Sequence, residues 1–132
     1  MKAQYVHELD VYRQSFRLQQ EVFTNSKTWP REEMYSLIDQ IRRSSRSIGA
    51  NLCEAWAKRR YPAHFVSKLT DADGELAETR HWIQTAEACG YMEPTASSAL
   101  HQLADLVGRL LGAMLQKYDQ FCVPTDAKDA ER

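Results

Sequence analysis

The residues in this chain best suited to chemistry are basic. Arg42, Arg43, Arg46, Lys58, Arg59 and Arg60 fall in one stretch, and with Arg31 they set seven basic residues against four acids between positions 31 and 60. A guanidinium donates two parallel hydrogen bonds to a phosphate, so the six are candidate contacts for RNA or DNA. With Ile41 at the centre of an apolar stripe, Arg42 and Arg46 flank that stripe while Arg43 points nearly away from it. The competing reading is a solvated face, or ion pairs with Asp71, Glu75 and Glu78, which recur at spacings of four and three. The whole chain carries 17 basic and 18 acidic residues, so no global field draws a polyanion and any affinity must be local.

Other chemistries find less support. His7, His64, His81 and His101 form no i,i+4 pair and no HExxH. Cys53, Cys89 and Cys122 are odd in number and widely spaced, which suits a reduced cytoplasm better than a disulfide framework or a zinc site. There is no glycine-rich phosphate loop and no nucleophile motif. The expectation is a protein that is not an enzyme, with no metal, no cofactor and no small-molecule substrate.

Several polar residues fit packing as well as binding. Ser44, Ser45, Ser47 and Asn51 cluster, with Glu54 three residues beyond Asn51. They suit either a polar pocket or a close helix approach with an amide fixing register. Asp73 and Arg80 lie seven apart at the edge of a helical stripe, as a partly buried ion pair would. Trp29, Trp56 and Trp82 suit base stacking or, alternatively, helix junctions and subunit contacts.

These residues need elements to carry them, and the period is helical throughout. The spacing predicts four helices at about 5–26, 31–59, 63–89 and 95–121, forming one domain over 1–123, with a disordered polar tail at 124–132. The first uses Tyr5, Leu9, Tyr12, Phe16 and Phe23 as its inner stripe. The second uses Met34, Leu37, Ile38, Ile41, Ser44, Ser45, Ile48, Leu52 and Ala55, and the third Phe65, Leu69, Ala72, Leu76, Thr79 and Ile83. The fourth runs from Leu100 through Leu103, Val107, Leu110, Leu111 and Met114 to Tyr118 and Phe121. Trp29-Pro30, Tyr61-Pro62 and Gly90 to Pro94 punctuate them, with Gly90 a left-handed cap. Short connections between helices of similar length imply an all-α, antiparallel up-and-down four-helix bundle. Val11, Leu18 and Val22 form a second apolar line on the first helix, and with outward Trp82 they are the candidate oligomer interface. No apolar run reaches the length of a membrane span, and the N-terminus has no signal-peptide h-region.

The stretch Gln40 to Ala55, QIRRSSRSIGANLCEA, follows WPREE at 29–33. With Leu9, Tyr12, Phe65, Gly74, Leu76, Glu78 and Gly90-Tyr91, it resembles the four-helix bundle proteins first noticed as reading frames inside intervening sequences of bacterial 23S rRNA genes. The chain departs from that pattern at Ala55, where the family usually has glycine, and at Glu75 and Thr79, where it commonly has serine and leucine. The resemblance implies a bundle that assembles into a ring, typically a homopentamer, with no accepted enzymatic activity. The fold is also similar to the accessory variability protein of diversity-generating retroelements, a basic protein that partners a reverse transcriptase and nucleic acid. The expected function is a non-catalytic, cytoplasmic, ring-forming docking platform for a macromolecular partner; the alternative is an RNA- or DNA-binding protein tied to those intervening sequences or retroelements.

Overall fold

The computed structural model describes residues 3–123, so the expected tail at 124–132 lies outside the described residues. Four long helices and one short one follow in order: α1 Asp10–Ser26, α2 Asp39–Ala57, α3 Pro62–Ala88, α4 Pro94–Gln116 and α5 Tyr118–Phe121. Each long helix packs on its neighbour in the chain, and α4 returns against α1, so the four surround one core. The result is a helical bundle. Leu18 and Val22 from α1, Ile41, Ile48 and Leu52 from α2, Phe65, Leu69 and Ile83 from α3, and Leu100 and Leu111 from α4 are sealed inside it.

The helix boundaries follow local chemistry. α3 and α4 each start on a proline, whose fixed φ suits a first turn, after an extended Tyr61 or Glu93. α3 ends at Gly90, which takes φ +76°, as a left-handed cap requires. There the Tyr91 N–H donates to the Ala86 carbonyl and the Gly90 N–H to the Glu87 carbonyl, each at 3.0 Å, which satisfies two otherwise orphaned acceptors.

Three expectations change. The first helix begins at Asp10 because Leu9 is extended and Val6–Glu8 make a separate 3-10 turn. That preceding segment is fastened sideways, where the Trp56 indole N–H donates to the Gln4 carbonyl at 3.1 Å. The approach to α2 is irregular: a 3-10 turn at Arg31–Glu33 and a π turn at Met34–Ile38 precede regular helix. Leu37 and Ile38 still face the core, but Met34 turns outward, as does Tyr118 beyond α4.

The largest correction concerns the faces of α1. Val11, Leu18 and Val22 are buried inside the bundle, with Leu18 and Val22 at 0% exposure, so they are not a surface between subunits. Ser15 and Ser26 complete their line at spacings of four and three, and both hydroxyls are buried because each donates to a carbonyl three residues back. Of the residues expected on the inner stripe, Leu9 is buried as predicted and Tyr12 and Phe23 are half-buried, but Tyr5 and Phe16 face outward. Tyr5 is 53% exposed and Phe16 46%, with Tyr12 stacked on Phe16 at 6.2 Å between ring centroids.

Candidate functional site

The six basic residues do not form one surface. Arg42 and Lys58 are separated by about 24 Å of helical rise, and the structure divides the set into three groups. The first lies between α1 and α2. Arg42 and Arg46, one turn apart, reach across to Phe23, their guanidinium carbons 4.7 and 5.5 Å from its ring centroid. Lys27, just past the end of α1, places its ammonium 4.8 Å from the same centroid. Arg42 is oriented further, because its Nε donates to the Ser26 hydroxyl at 2.9 Å. Among the described residues, none of these three cations has a carboxylate within ion-pair distance.

Arg43 belongs to a second group, facing α3. Its charge acts on Glu75, whose carboxyl is nevertheless held above its ordinary range by burial and by the neighbouring Glu78 charge. The expected ion pairs of α2 arginines with Asp71, Glu75 and Glu78 are not made at contact distance; Asp71 instead lies 3.8 Å from Lys68. The third group sits at the end of α2. Lys58 and Arg60 are exposed, while Arg59 folds back with its guanidinium 3.9 Å over the Trp56 ring and its Nε donating to the Trp56 carbonyl. Arg59 and Trp56 line a recess of about 470 Å³ with Leu9 and Phe121.

The polar residues of the bundle find other partners than the spacing predicts. Asp73 and Arg80 do not pair, because a separation of two helical turns leaves about 10 Å of rise between them. Arg80 crosses to α4, where it binds the Asp105 carboxylate and the Ala104 carbonyl, and this contact lowers the Asp105 pKa. Gly108 makes room for it, since a Cβ there would lie 2.8 Å from Arg80 Nη2. Asn51 donates to the Ser47 carbonyl of its own helix, so it sets no register between helices. From the same helix Ser44 does reach across, and its hydroxyl accepts from the Thr79 hydroxyl at 2.9 Å. Glu54 meets Lys68 at 2.7 Å, which lowers the carboxyl's pKa and raises the ammonium's.

Trp82 is half-buried against the core and edge-on to His81 at 4.7 Å, so it gives little outward surface. Glu78 and His81 stand at Glu-x-x-His spacing on α3, but both side chains are exposed, whereas di-iron bundles turn such pairs inward. Among the described residues, no three His, Cys, Asp or Glu side chains converge to hold a metal. Among the described residues no helix is long and apolar enough to cross a membrane.

Two features of this surface have no counterpart in the expectations: the role of Phe23 and Lys27 as partners of Arg42 and Arg46, and a contact between Glu33 and Tyr91. Lys27 stands beside a helix end and was open to notice, but Phe23 reads as core by type. The Tyr91 hydroxyl donates to Glu33 at 2.9 Å, which pushes the phenol pKa up to about 12 and, with the Ser36 hydroxyl, holds the carboxyl low.

Comparison with known proteins gives a consistent picture. A family model described as "23S rRNA-intervening sequence protein" matches residues 7–113. A crystal structure from Bacteroides thetaiotaomicron, described as a protein with unknown function from the S23 ribosomal protein family, is similar at a TM-score of 0.73 and 25% identity. The similarity covers 81% of this chain and 96% of that one. No curated protein matches.

Proposed function

The chain belongs to the 23S rRNA-intervening sequence protein family, and on that footing we propose that it is a non-catalytic, antiparallel up-and-down bundle. In this reading it assembles with its own copies into a ring, a homopentamer, in the bacterial cytoplasm and serves as a docking platform for a macromolecular partner. The observation that carries assembly is the aromatic surface at the start of the chain, where exposed Tyr5 precedes α1 and exposed Phe16, stacked with half-buried Tyr12, lies on its outward side. This face takes over the role expected of Val11, Leu18, Val22 and Trp82. A ring needs two unlike faces, and the shallow recess between α3 and α4 beside Asp73, Ala77, Arg80 and Asp105 offers the second. The up-and-down order is supported by which ends meet. Glu33 before α2 touches Tyr91 before α4, while Arg59 after α2 accepts from the Val123 N–H after α5.

Sedimentation velocity tests this reading. At micromolar concentration the protein should sediment as a multiple of its 15.2 kDa chain. Phe16→Asp should give a monomer that stays fully helical. A wild-type monomer would overturn the assembly.

A second reading, contact with RNA or DNA, is favoured by one observation: Arg42 and Arg46 stand on Phe23 without acidic partners. The dispersal of Arg43, Lys58, Arg59 and Arg60 removes the wider patch but leaves this part of it. Filter binding of RNA at low salt tests it, and the absence of any retained RNA would end it.

A further inference from the structure

We propose that Lys27, Arg42 and Arg46 form a phosphate site for a nucleic-acid backbone, with Phe23 as the post that holds the three cations in place. The proposal rests on the nucleic-acid reading and specifies where and how the strand is held. The side chains that complete the site, Phe23 on α1 and Lys27 just past its end, lie outside the basic run of α2.

The three charges lie within 5.5 Å of one ring centroid, so any two are within about 10 Å, roughly one Debye length at 0.1 M salt. Their fields therefore add at the same spot. Among the other described cations, Arg13 is matched by Asp10, Arg17 by Glu21, Lys68 by Glu54 and Arg80 by Asp105, while Arg31, Arg43, Lys58, Arg60, Arg109 and Lys117 make no ion pair at contact distance; what sets Lys27, Arg42 and Arg46 apart is the one ring they share. Arg59 is folded onto Trp56. In a chain of net charge −1 a polyanion meets no general attraction, so a local group of unpaired cations is what would hold it.

The donors are also ordered before the ligand arrives. The Phe23 face attracts the cations, and the buried Ser26 hydroxyl accepts from Arg42 Nε. That leaves both Arg42 terminal nitrogens to meet a pair of phosphate oxygens. Because three cations crowd the Phe23 ring, a base stacking on it would have to displace them. Recognition should therefore be of the backbone alone, blind to base identity and to the 2′-hydroxyl.

The test is fluorescence anisotropy with a mixed-sequence 20-nucleotide RNA and the same sequence as single-stranded DNA, on the full chain across 25 to 200 mM salt. For one subunit's three cations, affinity should fall by about 20-fold between 50 and 200 mM salt, and RNA and DNA should bind within about twofold of each other. Lys27→Gln and Arg42→Gln should each make the logarithmic salt slope shallower, by about 0.7 for each subunit on the strand. Lys58→Gln with Arg60→Gln should leave the slope unchanged. Lys27 is exposed and its replacement leaves the core untouched, so this variant separates site loss from unfolding. If RNA binds but the slope is insensitive to Lys27→Gln and Arg42→Gln, the site is overturned while the nucleic-acid reading stands. If neither nucleic acid binds at 25 mM salt, both fall. A strong preference for RNA over DNA would overturn backbone-only recognition.

Discussion

A serine or threonine can line a protein core if its hydroxyl stays at home. Among the described residues, the buried polar side chains Ser15, Ser26, Ser44, Ser45, Thr79 and Ser97 all donate to a carbonyl three or four residues back on their own helix. Each then behaves as a small, nearly satisfied side chain, which permits close helix approach. This is why the α1 faces are hard to read from sequence. The true stripe has two serines among Val11, Leu18 and Val22, whereas Tyr5, Tyr12, Phe16 and Phe23 look more apolar by type yet are half-buried or exposed. On α2 the same chemistry was legible because Ile41, Ile48 and Leu52 surround Ser44 and Ser45. Truncation separates the two α1 faces: Leu18→Ala should cost about 3–5 kcal/mol in urea unfolding, and Phe16→Ala under about 1 kcal/mol in the dissociated chain. Comparable losses would contradict the assignment.

At the scale of elements, the boundaries set by Pro62, Pro94 and Gly90 were readable because proline fixes φ and lacks a donor, while glycine reaches the positive φ of a left-handed cap without strain. The π turn at Met34–Ile38 was not, since its anchors are distant: Glu33 binds Ser36 nearby but also Tyr91 from the α3–α4 connection. Gly90→Ala should destabilise the protein by about 1 kcal/mol, the cost of forcing a Cβ into the left-handed region, as thermal unfolding would show. The Tyr91–Glu33 contact makes a separate prediction. Its phenol pKa is raised in the folded state to about 12, so its stabilising contribution is intact below the ordinary tyrosine range and fades as pH rises towards 12. In an ultraviolet titration, the Tyr91 phenol should appear as a fraction that resists ionisation at pH 11. Tyr91→Phe should abolish that resistant fraction. The candidate phosphate site was half legible for a related reason. Arg42 and Arg46 stand out on α2, but their partners on α1 depend on how two helices are rotated, which the inverted stripe obscured.

Across the whole molecule, acidic groups respond to pH in two opposite directions. Glu33, Glu54 and Asp105 have lowered pKa values through Ser36, Lys68 and Arg80 respectively. Their contribution is present above the ordinary carboxylate range and is lost as pH falls through their folded values. Stability should therefore decline on acidification, in chemical denaturation series below pH 4.5. Glu75 runs the other way. Burial raises its pKa, so its charge opposes folding once pH exceeds the ordinary range, and neutralising it should help. Glu75→Gln should raise the thermal midpoint at pH 7 and lose that advantage at pH 4. A lower midpoint at pH 7 would mean that attraction from Arg43 outweighs desolvation.

The placement of the tryptophans gives the bundle a built-in optical readout. Trp29 is buried before α2 with Tyr91 at 6.2 Å, and Trp56 lies at the far end of the same helix under Arg59. Each indole thus reports on one end of the molecule through its own surroundings. Variants retaining a single one of them would emit from one end alone. Coincident melting curves would establish that the ends come apart together; separated curves would reveal an end that frays while the remainder holds.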